Sequence, residues 1–233
     1  PASGEYRPIY SIPFNRTPSY TGMNAAGINK VDSTAYALMS LNSTSAYLVR
    51  FDAQEVLFVA KMPEHSAAGD VDEVGNFVWT KNTKKILSVL PDIANMEGFK
   101  DPADAPDMSD WSPTLESVKA PTSDIATMIY DFGDGEGNYA MGLLGSDLYV
   151  YRYDDPLQAW IIKVTIPEGS NSPEPEGSFG ASWSHEDRIY FASNKGLCVF
   201  EVMIPTIDFE NKTAEIRKVA NSDATGWNDG MNC

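Results

Sequence analysis

Apolar and polar positions alternate along this chain in short runs, and brief polar turns separate the runs. The clearest runs are Ala46-Tyr47-Leu48-Val49-Arg50-Phe51, Glu55-Val56-Leu57-Phe58-Val59-Ala60, Ile125-Ala126-Thr127-Met128-Ile129-Tyr130 and Trp160-Ile161-Ile162-Lys163-Val164-Thr165. They are rich in β-branched and aromatic residues, which suit a pleated, half-buried surface. Long amphipathic helical stretches are absent. The pattern predicts a chain of hairpins, with one turn at Asp52-Ala53-Gln54 between the first two runs.

A longer motif overlies this alternation. Small residues lead into a polar turn, and the turn leads into a strand centred on an aromatic. The copies run from Ala25 to Leu38, Ala67 to Trp79, Ala140 to Tyr151 and Phe179 to Phe191. Their anchoring aromatics are Tyr36, Phe77, Tyr149 and Tyr190, separated by 41, 72 and 41 residues. A hairpin unit recurring near every forty residues predicts an all-β fold, a β-propeller of about five blades. The innermost strand of a blade lines a narrow axis, so Ala26, Gly27, Ala68, Gly69, Gly180 and Ala181 suit it.

The 72-residue interval contains an acidic, proline-rich insertion around residues 92–124, where Asp101, Asp104, Asp107 and Asp110 recur every third residue. It reads as a solvated loop with one helical turn, long enough to suggest a purpose. The expected organisation is one propeller-like domain over residues 1–233. Residues 1–21 form an N-terminal closure segment with a strand at Pro8-Ile9-Tyr10-Ser11-Ile12, residues 22–219 form the blades, and residues 220–233 form a closing segment. A fifth unit assembled from the two termini would protect the sheet edges.

Charge narrows the function classes. The formal net charge is −16, from 33 acidic and 17 basic residues, which argues against nucleic acid as a partner. Apolar runs are too short to span a membrane. Two cysteines, Cys198 and Cys233, make neither a disulfide scaffold nor a zinc site. An extracellular setting would allow Cys198 to pair with Cys233, or Cys233 to pair beyond this chain. Sequons at Asn15, Asn42 and Asn211 are candidate glycosylation sites and agree with secretion. Pro1 reads as the start of a processed chain or an excised piece, so a missing signal peptide carries no information.

Candidate chemistry is sparse. In Asp131-Phe132-Gly133-Asp134-Gly135-Glu136-Gly137-Asn138, the carboxylates of Asp131, Asp134 and Glu136 could wrap a calcium ion. The spacing departs from an EF-hand, and an acidic β-turn explains it as simply. His65 and His185 are the only histidines, and neither lies in a nucleophile elbow or zinc motif. Asn24, Asn29, Asp70 and Asp72 lie near predicted inner strands, where calcium-dependent propeller hydrolases place their ligands. That makes a lactonase- or esterase-like hydrolase the alternative function, although the chain is short for a six-bladed enzyme.

Three stretches carry a family resemblance: Gly27-Ile28-Asn29-Lys30-Val31-Asp32 before Ala35-Tyr36-Ala37, Gly180-Ala181-Ser182-Trp183 before Arg188-Ile189-Tyr190, and Asn228-Asp229-Gly230-Met231-Asn232-Cys233. Over residues 22–233 the chain resembles an uncharacterised propeller-like repeat family of large secreted proteins of algae, protists and some bacteria. The resemblance implies a module set beside other extracellular modules in adhesive or matrix-like proteins, with no catalytic residues. The expected function is therefore a non-catalytic structural or protein/glycan-interaction module of a secreted glycoprotein, located outside the cell or at its surface. Its expected partners are another extracellular protein, a glycan or further copies of itself in a filament or matrix.

Overall fold

The computed structural model describes residues 22–41, 45–81, 86–111, 123–196, 198–222 and 224. Fifteen strands follow one another in them: β1 (Gly22–Asn29), β2 (Thr34–Ser40), β3 (Ala46–Phe51), β4 (Val56–Met62), β5 (Gly69–Val71), β6 (Phe77–Lys81), β7 (Ile86–Leu90), β8 (Ile125–Asp131), β9 (Glu136–Leu144), β10 (Asp147–Arg152), β11 (Gln158–Thr165), β12 (Phe179–His185), β13 (Arg188–Ser193), β14 (Val199–Val202) and β15 (Thr213–Ala220). They pair antiparallel with their sequence neighbours as four meanders: β1–β4, β5–β7, β8–β11 and β12–β15. The chain is all-β, as the alternation predicts.

The meanders stack face to face in chain order. Tyr36, Leu38, Leu48 and Val59 of the first pack with Val71, Phe77, Trp79 and Leu90 of the second. Val78 and Leu87 turn the other way, onto Ile125, Ala140, Tyr149 and Tyr151 of the third. The largest core joins the third to the fourth, through Tyr139, Met141, Val150, Ile162, Phe179, Phe191, Phe200 and Ile216. This two-sided burial follows from the period of two, which sends successive side chains to opposite faces.

Two features differ from a set of separate blades. The outer strands β11 and β15 pair parallel at Lys163–Thr213, Val164–Ala214 and Thr165–Glu215. The third and fourth meanders thereby form one eight-stranded sheet, whose end strands β8 and β12 also lie side by side. The Asp124 N–H donates to the Phe179 carbonyl at 2.9 Å, so this sheet almost closes on itself. Pairing two outer edges removes two rows of unsatisfied backbone groups. The expected fifth unit and the strand at residues 8–12 lie outside the described residues.

The third repeat copy is displaced from its expected place. Residues 140–151 form the second hairpin of their meander, β9–β10, while its innermost strand is β8. The first aromatic to follow the inner turn there is the buried Tyr139, not Tyr149. Gly142-Leu143-Leu144-Gly145 imitates the small-residue lead-in but turns at Gly145–Ser146, one hairpin too far along.

The described part of the insertion is mostly exposed, as a solvated loop would be, but its backbone is tied to the sheet. It makes two 3-10 turns, Ile93–Asn95 and Pro102–Asp104, and runs along the outer edge of β4. Phe58 and Phe99 exchange both backbone hydrogen bonds at 2.8 Å. The Lys61 N–H donates to Pro106 and the Met108 N–H to Lys61, at 2.9 and 2.8 Å. Asp107 pairs with Lys61 at 2.7 Å, and Asp101 caps the second turn. The segment therefore covers a sheet edge that would otherwise stay open.

Five phenols test this packing. Burial is the largest cause raising the pKa values of Tyr36, Tyr139, Tyr149, Tyr151 and Tyr153, and Tyr36 reaches about 12. Unfolded tyrosine ionises near 10. A raised folded value gives stability that is complete below pH 10 and falls as pH rises, for Tyr36 through about 12. In an alkaline titration these five should ionise together with loss of circular dichroism, apart from the accessible phenols. Smooth ionisation of all eleven tyrosines near pH 10 with the fold intact would show the packing to be wrong.

Candidate functional site

The innermost strands β1, β5, β8 and β12 are neighbours in that order. Close approach explains the small residues at their centres. A Cβ on Gly27 would fall on the Val71 amide and within 2.7 Å of Asp70 Oδ1. A Cβ on Gly69 would lie 2.8 Å from the Ala25 Cβ.

Between these strands lie buried carboxylates. Asp70 Oδ1 accepts from the Val71 N–H, while Oδ2 accepts from the N–H and hydroxyl of Thr127 on β8, all at 2.8 Å. Asp124 repeats the device one unit on. Its Oδ1 accepts from the Ile125 N–H and its Oδ2 from the Ser182 N–H on β12, both at 2.9 Å. Each aspartate thus clasps its own strand to the next innermost one. Asp72 closes the β5–β6 turn by accepting from the N–H groups of Val74 and Asn76, and the Tyr153 hydroxyl reaches it at 2.9 Å. Asn29 accepts from the Val31 N–H, and Asn24 lies 3.5 Å from His65. The four residues considered for an axial ion, Asn24, Asn29, Asp70 and Asp72, are therefore held in separate local networks. Among the described residues, no three His, Cys, Asp or Glu side chains gather in a metal-binding group.

At the turn end of the inner strands, residues from all four meanders meet around a polar cleft of about 50 Å³. Lys30 of the first and Glu73 of the second pair across it at 2.9 Å. Ser184, His185, Glu186 and Asp187 line its other side. The cleft is well below the few hundred Å³ that an organic ligand occupies. Glu186 and Asp187 form the β12–β13 turn with φ of 47° and 58°, a left-handed pair in which glycine or asparagine would be unstrained.

The proposed calcium turn has a cation of its own. Asp131 Oδ1 accepts from the Gly133 and Gly135 N–H groups at 2.7 and 3.0 Å. Asp134 pairs with Arg152 at 2.7 Å, and Glu136 offers Arg152 its backbone carbonyl at 3.4 Å. The Arg152 side chain is only 7% exposed. It also bonds Asp154 at 3.0 Å and lies 5.9 Å from the Tyr139 ring centre. Sequence reasoning missed this residue. Its signal is a lone arginine ending the aromatic strand Leu148-Tyr149-Val150-Tyr151-Arg152, just before Asp154.

Of the sequons, Asn211 sits in an exposed turn, with its amide donating to Asp208 Oδ2 at 2.7 Å. Asn15 and Asn42 lie outside the described residues. Cys198 is a free thiol fully buried in the largest core, and burial raises its pKa. Cys233 lies outside the described residues. His185 is exposed, 4.0 Å from Glu186. His65 is half-buried, and its Nδ1 lies 2.8 Å from Ser40 Oγ.

No protein-family model matches the chain, and no curated protein matches it.

The clasp and the turn give separate tests. Asp70→Ala leaves two Thr127 donors and the Val71 N–H without their acceptor, and should cost about 2–4 kcal/mol in urea unfolding. Thr127→Val removes only the hydroxyl and should cost about 1 kcal/mol. An unchanged Asp70→Ala midpoint would eliminate the clasp. Because Arg152 already neutralises Asp134, melting midpoints in calcium, magnesium and chelator should coincide at equal ionic strength. A rise specific to calcium would establish the ion site instead.

Proposed function

We propose that this chain is a non-catalytic structural or protein/glycan-interaction module of a secreted glycoprotein, belonging to an extracellular filament or matrix. Its architecture is read as propeller-like, with the four described meanders as blades around the axis of β1, β5, β8 and β12. The family resemblance seen in the sequence fits this reading, and rests on the quoted residues alone.

One observation carries the proposal. The buried acids of the inner strands, which in a propeller enzyme would face a metal or substrate, hold neighbouring strands together instead. Asp70 and Asp124 each direct one carboxylate oxygen into the next unit's backbone. The acids that remain exposed lie mostly on turns. The exposed sequon at Asn211 supports the glycoprotein part of the reading, since its turn leaves room for a glycan.

A second reading, a lactonase- or esterase-like hydrolase, is favoured by one contact. Ser40 Oγ lies 2.8 Å from His65 Nδ1, and burial lowers the His65 pKa, keeping the ring neutral and able to take a proton. The pair alone does not make a nucleophile, because acyl transfer also needs donors for the developing oxyanion.

Native material decides between these readings. Electron microscopy should find the chain within an extended assembly, and intact mass should fall on glycosidase treatment through loss of a glycan from Asn211. Free monomers of unmodified mass would count against the module. Turnover of lactone or ester substrates that His65→Ala abolishes would replace it with the hydrolase.

A further inference from the structure

The outward face of the fourth meander differs from every other sheet face described. Both faces of the first three meanders carry buried hydrophobic clusters. On the fourth, Ile189, Phe191, Phe200, Val202 and Ile216 join the large core on one side only. The alternate residues point away from it. Register places four of them in one row across the whole sheet: Trp183 beside Tyr190, Tyr190 beside Glu201, and Glu201 beside Arg217.

The row is organised and partly open to solvent. The Trp183 and Tyr190 rings stack at 5.4 Å with 15° between their planes, and both are half-buried. Arg217 holds both Glu201 carboxylate oxygens at 3.1 Å. Arg188, beside the row on β13, hydrogen-bonds Tyr190, which raises the arginine pKa. Arg188 and Arg217 side chains are 52% and 47% exposed, while Glu201 is 8% exposed. Tryptophan, tyrosine and arginine are the residues that most often anchor protein interfaces.

The geometry points to a second copy of this chain as the occupant of this face, docked about a two-fold axis that runs parallel to the strands. The argument is self-complementarity. Such an axis reverses the row, so each Trp183 meets the other copy's Arg217 and each Tyr190 meets the other copy's Glu201. The first contact is a cation–π pair. The second is a phenol hydroxyl donating to a carboxylate. Each forms twice, as an isologous interface requires. Strand spacing near 4.8 Å makes the row about 14 Å long, and sheets pack about 10 Å apart, so the contacts are within reach. A four-stranded face covers roughly 400 Å² per copy, about half of what a stable specific interface buries, so the dimer is weak and concentration-dependent. The net charge of −16 opposes association at long range, and salt screens that repulsion more than the close contacts.

This inference rests on reading the chain as an interaction module and names the surface through which it meets itself. Sedimentation equilibrium of the full chain should show a monomer–dimer equilibrium that tightens as sodium chloride rises from about 20 to 500 mM. Trp183→Ala and Arg217→Gln, whose amide can still donate to Glu201, should each weaken it by about tenfold or more, with circular dichroism unchanged. In a Cys233→Ser background, Trp183→Cys mixed with Arg217→Cys should be joined by a short bifunctional maleimide that spans the gap between the sheets, while either variant alone should not. A monomer at every salt concentration, or a dimer indifferent to both substitutions, overturns the proposal while leaving the module reading intact. Glycan-array binding by a monomer, lost in Trp183→Ala, also overturns it and assigns the face to a sugar. Turnover of ester substrates would instead strike the module reading itself.

Discussion

Two innermost strands that lie side by side without a shared ladder present polar backbone groups to one another in a dry place. Everything else in this fold depends on how those groups are satisfied. An unpaired buried N–H costs free energy comparable to a lost hydrogen bond. Here a carboxylate does the work of a missing strand. Asp70 and Asp124 each accept from their own chain and from the next inner strand, fixing the spacing and register of neighbouring units together. The small residues follow from the same constraint. Where β1 lies against the Asp70 carboxylate and the Val71 amide of β5, no Cβ fits at Gly27.

The outer edges are managed by different means. β11 and β15 satisfy one another directly, which merges two meanders into a nearly closed sheet. β4 is covered by the described part of the insertion, whose backbone pairs with Phe58 and Lys61. Beyond its pairing with β11, β15 receives a smaller cap, where the Ser172 hydroxyl accepts from the Lys218 N–H at 2.9 Å. Each device blocks a place where another strand could add. Among the described residues the outward face of β12–β15 has no such device, and polar and aromatic residues occupy it in place of a closed apolar layer.

Strands were the legible part of this sequence, because alternation of period two is a local property. The turn at Asp52 was legible for the same reason, and its carboxylate closes it by accepting from the Gln54 and Glu55 N–H groups. The third repeat copy was misplaced because Gly142 and Gly145 reproduce the composition of an inner hairpin while the strand that lines the axis, β8, leads with Asp124-Ile125. The pairing of the insertion with the β4 edge was illegible for a similar reason. Its acids and prolines suit a solvated loop, and only the distant β4 edge makes its backbone ordered. The clasps left one faint local mark, an aspartate directly before a β-branched residue in Asp70-Val71 and Asp124-Ile125. Their acceptor role lies 57 and 58 residues away and has no local trace.

The acidity of the chain has an architectural cause that bears on its function. Asp32, Asp52, Asp72, Asp101, Asp107, Asp131 and Asp208 each accept a hydrogen bond from the N–H two residues further on. A hairpin-rich chain needs many such turns, and a short carboxylate closes them well. The same side chains would be counted as cation ligands in a sequence-level inventory. Their first coordination is instead to backbone donors, and where a turn carries an excess of charge, as at Asp134, a buried arginine answers it. Turn closure thus accounts for seven of the 33 acidic residues, part of the net charge of −16. It leaves the row on β12–β15, where aromatic, acidic and basic side chains stand in one line, as the surface whose pattern the turns do not explain.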